Sequence, residues 1–166
     1  DISFGAPLSM NATIDSGEVY VKDLFQIYRY ENFLYTMELN GKEVKDYLEY
    51  SYNGWFNQMQ KESDNLLRFK TNDDGEIIEH SKPPTYRLFT SYYNYDSAEG
   101  IKYSVDLQKP KGEKVEIISM LDGSAFHLDS TYKVAINSYR GNGGGGHLTR
   151  GAGIPSKDLA SRIVFS

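Results

Sequence analysis

The sequence contains no cysteine among its 166 residues, which excludes disulfide bonds and thiolate chemistry. It has no apolar run near the length of about 20 residues that a membrane-spanning helix needs, and no recognisable signal peptide. Its net charge of −5 lacks the basic excess that is typical of proteins coating nucleic acid. We therefore expect neither a membrane span nor a nucleic-acid polymer as partner, while a single bound nucleotide needs only local contacts.

Residues that could form a catalytic or metal centre are also missing. The three histidines, His80, His127 and His147, are far apart and lack ligand spacing. A two-metal hydrolytic centre would need a cluster such as Asp-x-His with Asn-His-Asp/Glu. No serine has a nucleophile-elbow context and no carboxylate pair suggests a general acid and base. The sequence predicts no catalytic residue, cofactor or metal ligand here, although His147 could face a ligand beside a glycine-rich loop.

The length and a hydrophobic content of 39% predict one globular domain over residues 1–166. The hydrophobic pattern predicts a helix over residues 42–53 and shorter helices over 23–28 and after Pro155. Residues 61–82 are polar and predict an irregular insertion or hairpin, followed by a break at Pro83 and Pro84. Strands are predicted over residues 2–8, 33–39, 86–95, 101–107, 115–120 and 131–138. Because this order lacks βαβ regularity, we expect an α+β fold with a mixed β-sheet flanked by helices.

The chain is rich in tyrosine, with 14 residues. Tyr28-Arg29-Tyr30-Glu31-Asn32 precedes a predicted strand, and Tyr139 follows another. Two rings on separate loops could enclose a planar base, each stack contributing about 1–3 kcal/mol, and the amide of Asn32 could read a base edge. The alternative is that these tyrosines belong to the core or a sheet edge, since aromatic residues are commonly buried.

A glycine-rich segment covers residues 141–146, directly after Tyr139 and Arg140. It lacks the Gly-Lys-Ser/Thr ending and the following amphipathic helix of a phosphate-binding loop. Two interpretations stay open, a loop whose backbone approaches a ligand closely and a flexible connection.

An ordered set of short motifs covers most of the chain. It includes Ser3-Phe4-Gly5-Ala6-Pro7-Leu8, Ile27-Tyr28-Arg29-Tyr30-Glu31-Asn32, Asn94-Tyr95-Asp96 with Gly100, and Ala135-Ile136-Asn137-Ser138-Tyr139-Arg140 with the glycines. This set resembles the C-terminal domain of the 5′-nucleotidase family. Within that family it is most similar to the 2′,3′-cyclic-nucleotide 2′-phosphodiesterase/3′-nucleotidase branch.

The resemblance implies a domain that binds the nucleoside part of a nucleotide. Proteins of the family hold two divalent metals in an N-terminal metallophosphoesterase domain, so hydrolysis would take place outside this chain and the chain alone should be inactive. It implies a base clamp of Tyr30 and Tyr139, with Asn32 touching the base. Gly100 would line the pocket. The predicted substrate-binding set is completed by Arg140 and Gly143.

The resemblance also implies a periplasmic or extracellular protein, and the opening residues read as a strand already under way in a longer chain. Two positions depart from the family pattern. A phosphate-gripping arginine is absent from Ser9-Met10-Asn11-Ala12, which fits the cyclic-nucleotide branch better than 5′-monophosphates, and Gly145 stands where an acidic residue often holds the ribose. Two other functions stay open, a free-standing tyrosine-rich module for protein or glycan contacts and a degenerate nucleotidase domain kept for structure.

Overall fold

The structure, a computed structural model, describes residues 1–9, 11–81 and 85–165. Met10, Pro83 and Pro84, which belong to the segment without arginine and to the predicted break, lie outside these residues. The strands are β1 (Ile2–Gly5), β2 (Leu34–Asn40), β3 (Ser97–Glu99), β4 (Ile101–Val105), β5 (Val115–Met120), β6 (Thr131–Asn137) and β7 (Ile163–Phe165). The α-helices are α1 (Val21–Ile27), α2 (Gly41–Trp55) and α3 (Ser138–Gly141). Single 3₁₀ turns cover Tyr92–Asn94, Gly144–Gly146, Ser156–Asp158 and Ala160–Arg162, and a π-helical turn covers His147–Gly151.

Five strands form one mixed sheet in the order β3-β1-β6-β2-β7, and β4 and β5 form a separate hairpin. β1 and β6 are parallel, whereas β1–β3, β2–β6 and β2–β7 are antiparallel. The predicted α+β architecture with a mixed sheet and helices is confirmed.

The core lies between this sheet and α2. On β2, the alternate residues Met37 and Leu39 are fully buried, as the two-residue period of a strand requires. On α2, Val44, Tyr47 and Leu48 are fully buried at helical spacing and join the same cluster.

Reciprocal hydrogen bonds fix the start of α2. The Glu43 amide donates to Asn40 Oδ1 at 2.8 Å, and the Asn40 amide donates to Glu43 Oε2 at 2.8 Å. This capping box satisfies two backbone donors at the helix start and sets the direction in which α2 leaves the sheet.

The prediction of a strand over residues 86–95 is wrong. The region from residue 56 to residue 88 holds isolated bridges, such as Phe69 with Leu88 and Glu79 with Tyr86, and Tyr92–Asn94 is a 3₁₀ turn. Most of the aromatic residues that suggested a strand, among them Phe89 at 54% exposure, lie on the surface, whereas Tyr95 is half-buried and packs against the core. Conversely, Ser97–Glu99, which lies between two predicted strands and outside both, is β3, because pairing with β1 buries Ala98.

Candidate functional site

A cavity of about 460 Å³ opens between the loop that precedes β2 and the start of α3. The extension of β1 and one residue of the Tyr92–Asn94 turn complete its walls. The lining residues are Ala6, Leu8, Tyr28, Tyr30, Glu31, Asn32, Tyr93, Asn137, Tyr139 and Arg140. We call it the tyrosine cavity. It brings together four of the six predicted binding residues, namely Tyr30, Asn32, Tyr139 and Arg140.

The two tyrosines of the predicted clamp are on the surface and not in the core. Tyr30 is 64% exposed and Tyr139 is 50% exposed. Tyr30 precedes β2 by several residues and Tyr139 lies in α3, so neither ring is part of a sheet edge. The structure therefore removes the alternative in which both rings are core or sheet-edge residues, and both stay available to a flat ligand.

The side-chain amide of Asn32 is held in a fixed orientation. Its Nδ2 donates to Tyr28 Oη at 2.6 Å, and its Oδ1 accepts from Ser138 Oγ at 3.2 Å. The same serine hydroxyl accepts from the Phe33 amide at 3.0 Å, which ties the loop to α3. Because an amide has two N–H donors and two acceptor lone pairs, Asn32 retains one donor and one acceptor for a ligand.

Arg140 borders the tyrosine cavity, but its guanidinium is buried in a polar network. Nε and Nη2 form a bidentate pair with Asp96, with Nη2 to Oδ1 at 2.8 Å and Nε to Oδ2 at 3.0 Å. Nη1 donates to Asn94 Oδ1 at 3.0 Å, and Nη2 also donates to the Tyr93 carbonyl at 2.9 Å. Nη1 also donates to the Gly144 carbonyl at 3.3 Å, so all five donors of the guanidinium are used and Arg140 is placed to hold α3 in position rather than to grip a phosphate.

The same network contains Tyr47, whose hydroxyl donates to Asp96. Burial, followed by the charge of Asp96, raises the pKa of Tyr47 well above its usual value. Burial would lower the pKa of Arg140, but its hydrogen bonds to Asp96 and the charge of that carboxylate raise the pKa overall. Arg140 therefore stays charged, with Tyr47 as a neutral donor.

The glycine-rich segment wraps around Tyr139 and Arg140. A Cβ on Gly144 would lie 2.5 Å from the Tyr139 carbonyl oxygen and 2.6 Å from its ring, and a Cβ on Gly145 would meet the Arg140 guanidinium. Gly143 has φ +91°, a conformation that favours glycine. It lies beside Leu159 and is not among the described residues lining the cavity. Because Gly144 and Gly145 have no side chain, the backbone of this segment can pack directly against Tyr139 and Arg140.

Gly100 is placed away from the other predicted binding residues. It joins β3 to β4 with φ +92°, and a Cβ there would clash with the Asp1 carbonyl oxygen. Its carbonyl accepts from the Leu121 amide at 2.8 Å. In the part of the chain that the structure describes, this glycine makes a tight turn against β1 and does not line the tyrosine cavity.

Six of the ten residues that line the tyrosine cavity were not in the predicted binding set, among them Tyr28, Glu31 and Tyr93. Tyr28 lies edge-on to Tyr30, with ring centroids 6.4 Å apart, and accepts the Asn32 hydrogen bond. The alternation of tyrosines before β2 was a signal for it. Glu31 lies inside the same motif, between Tyr30 and Asn32, and Tyr93 comes from a turn predicted to be a strand.

His147 is buried, at 1% exposure, and packs against the rings of Tyr47 and Tyr50. Its Nε2 lies 3.0 Å from the carbonyl oxygen of Asn94. Burial lowers its pKa to about 4, so the ring is neutral and Nε2 carries the donated proton. Across residues 1–9, 11–81 and 85–165, no three His, Asp or Glu side chains form a group that could hold a metal ion.

Comparison with known proteins defines the class of domain. The family model described as the C-terminal domain of 5′-nucleotidase matches residues 1–150, and the chain therefore belongs to this family. The resemblance drawn from the sequence motifs is confirmed. In the described part of the chain, no helix is long and apolar enough to cross a membrane.

Particular relatives add detail. The chain is 29% identical to the trifunctional nucleotide phosphoesterase protein YfkN of Bacillus subtilis, covering 99% of this chain and 12% of that protein. It is 28% identical to the 2′,3′-cyclic-nucleotide 2′-phosphodiesterase/3′-nucleotidase of Salmonella typhimurium, covering 79% of this chain and 20% of that protein. The chain thus spans a fifth or less of the length of these relatives.

Solved structures share the fold. A Staphylococcus aureus structure reported under the name 5′-nucleotidase superposes with a TM-score of 0.64 and 21% identity, covering 99% of this chain and 27% of that one. The 5′-nucleotidase precursor of Thermus thermophilus gives a TM-score of 0.58 at 21% identity, covering 88% of this chain and 23% of that one. At these identities the likeness concerns the fold.

Proposed function

We propose that this domain binds the nucleoside part of a nucleotide in the tyrosine cavity, as the specificity domain of a nucleotidase or 2′,3′-cyclic-nucleotide phosphodiesterase. The observation that carries the proposal is that Tyr30 and Tyr139, exposed rings on separate segments, line one cavity with the oriented amide of Asn32. A base stacked on these rings would meet the remaining donor and acceptor of Asn32, a pair that a base edge can match.

The cavity also offers a carboxylate for the sugar. The family's acidic position is Gly145 here, but Glu31 lines the tyrosine cavity beside Tyr30 and Asn32. An ionised carboxylate accepts hydrogen bonds from hydroxyl groups strongly. We propose that Glu31 binds the ribose hydroxyls, in place of the acidic residue that the family pattern puts at position 145.

The proposal assigns hydrolysis to a part of the protein outside this chain. Two divalent metals would be held by an N-terminal metallophosphoesterase domain, as the family resemblance implies, in a periplasmic or extracellular protein. Binding and chemistry on separate domains would require domain movement to bring the phosphate to the metals. This domain would bind and orient the nucleoside, and supply no ligand to the metals.

Titration of the chain with adenosine, followed by tyrosine fluorescence and calorimetry, tests the proposal. Tyr30→Ala and Tyr139→Ala should each weaken binding by about 5- to 150-fold, the equivalent of one lost stack of about 1–3 kcal/mol. Tyr86→Ala is the matched control, because Tyr86 is 49% exposed but lies outside the tyrosine cavity. Binding that is indifferent to both clamp substitutions would instead support the protein- or glycan-binding module.

The ribose contact is tested separately. Glu31→Gln should weaken adenosine binding and leave the binding of 2′,3′-dideoxyadenosine nearly unchanged, because the second ligand lacks the hydroxyls that the carboxylate accepts from. An equal loss for both ligands would contradict the role of Glu31 while leaving the base clamp intact.

A further inference from the structure

A second cavity, of about 740 Å³, is lined by the end of α2, residues 56–58, Arg68, residues 89–91, the β4–β5 hairpin and the turn that contains His147. We call it the polar cleft. Four cationic side chains line it, those of Arg68, Lys111, Lys114 and Arg150. No carboxylate is among its described lining residues. Its volume falls in the range of small-molecule sites, about 300–1,000 Å³.

Lys114 is a buried cation whose hydrogen bonds are incomplete. It is 2% exposed, and its Nζ donates to the carbonyl oxygens of Phe56 at 3.2 Å and Asn57 at 3.3 Å. Because an ammonium group has three donors, one remains. Burial and then the charge of Arg68 lower the pKa of Lys114, partly opposed by Glu49. The ammonium group therefore lies in a place where an anion would be favourable.

Glu49 is the carboxylate whose charge raises the pKa of Lys114, and it already has other partners. Its Oε1 accepts from the Val115 amide at 2.6 Å, and its Oε2 accepts from the Gly112 amide at 3.2 Å. It thus serves the backbone of the β4–β5 hairpin, and it does not line the polar cleft.

Arg68 is fixed in the wall of the polar cleft. Its Nη1 donates to the Asn53 carbonyl at 2.6 Å, and its guanidinium lies 4.2 Å from the centroid of the Phe89 ring. A guanidinium has five N–H donors in a planar fork that matches an oxyanion. Arg150 and Lys111 are exposed members of the same lining.

Neutral polar groups complete the polar cleft. The side chains of Asn53, Asn57, Gln58 and Thr90 offer amides and a hydroxyl. His147, neutral and 1% exposed, has no hydrogen-bond partner for Nδ1 among the described residues. Since Nε2 donates to Asn94, this Nδ1 is an unpaired buried acceptor in the wall of the polar cleft.

We propose that the polar cleft binds a sugar phosphate, whose phosphate pairs with Arg68, Lys111, Lys114 and Arg150 and whose hydroxyls bond the neutral amides and the Thr90 hydroxyl of the lining. A bare oxyanion would leave most of the volume and the neutral polar groups unused, and a neutral sugar would leave the cations uncompensated. The site is separate from the tyrosine cavity and needs no base stacking, so it does not depend on the function proposed for that cavity.

Calorimetry on the full-length natural protein that contains this chain tests the proposal. The protein carries Tyr139→Ala, which weakens binding in the tyrosine cavity, and divalent metals are chelated to prevent hydrolysis. The probes are ribose 5-phosphate, ribose, inorganic phosphate and glucuronate. Ribose 5-phosphate should bind more tightly than the other three, and its binding should weaken as salt is raised, because exposed charges are screened. The double variant Lys111→Gln/Arg150→Gln should bind it about tenfold more weakly, the equivalent of one lost charge-assisted hydrogen bond.

Lys109→Gln is the matched control, because Lys109 is an exposed lysine on the same hairpin that does not line the polar cleft. It should leave binding unchanged. Equal binding of ribose would overturn the role of the cations, and equal binding of inorganic phosphate would overturn the role of the hydroxyls. Equal or tighter binding of glucuronate would overturn the choice of phosphate over carboxylate. Binding unaffected by the double substitution would remove the site.

Discussion

Asp96→Asn is the substitution that most directly tests the network beneath Tyr139. It keeps the shape of the side chain but removes the charge that faces Arg140. The Arg140 side chain is only 3% exposed. The Tyr47 hydroxyl can still donate to the amide oxygen. Arg140, however, would face an N–H donor in place of one carboxylate oxygen and would keep a buried charge without a counter-charge.

The expected cost is about 3–5 kcal/mol in the free energy of unfolding, the loss measured when one partner of a buried ion pair is removed. Such a loss is a large fraction of the 5–15 kcal/mol of a typical domain. Urea unfolding of the 166-residue chain, followed by the fluorescence of Trp55, its single tryptophan, measures it.

Asp46→Asn is the matched control. Asp46 pairs with Lys42 one helical turn away on the surface of α2, with 71% of the lysine side chain exposed. An exposed pair of this kind contributes about 0.3–0.5 kcal/mol. If Asp96→Asn costs less than about 1 kcal/mol, the Arg140 guanidinium finds other partners or water, and the idea that this ion pair positions α3 is refuted.

Two further substitutions test other parts of the site. Because the pKa of His147 is lowered to about 4 from about 6.5 in the unfolded chain, the unfolded state takes up a proton first on acidification, and stability is lost as pH falls from about 6.5 to about 4. Between pH 7 and pH 5, wild type should lose about 2 kcal/mol more than His147→Gln in urea unfolding, and equal losses would contradict the burial of this ring. Gly144→Ala should weaken adenosine binding because its Cβ would push Tyr139 aside, whereas Gly5→Ala, with nothing within 4 Å, should not; equal binding by both would show that the glycine does not position the ring.

Local patterns predicted the regular elements well. The strand predicted over residues 115–120 coincides with β5, and the spacing of Val44, Tyr47 and Leu48 located α2, although the helix extends further, to Trp55. β7 has three residues and no pattern of its own, and it forms because β2 offers a free edge to pair with. A short strand of this kind depends on a distant partner, which local periodicity does not show.

The candidate site was predictable to the extent that its residues adjoin recognisable motifs. Tyr30, Asn32 and Tyr139 followed from the resemblance and line one cavity. The partner of Arg140 did not, because Asp96 is 44 residues away and nothing near Arg140 in sequence shows that its donors will be used internally. Gly100 was predicted from a family position, whereas its conformation and its closeness to Asp1 give it a structural task.

The buried ion pair of Arg140 and Asp96 does more than stabilise the fold, because it links the walls of both cavities. Arg140 lines the tyrosine cavity and donates to the side chain of Asn94 at 3.0 Å. The carbonyl of the same asparagine accepts from His147 at 3.0 Å, and both Asn94 and His147 line the polar cleft. A buried arginine is costly to desolvate, and a well-packed apolar residue would often stabilise the fold as well or better. The presence of Arg140 is therefore better explained by what it positions. Its ion pair with Asp96 fixes Tyr139 at the surface on one side and the wall of the polar cleft on the other.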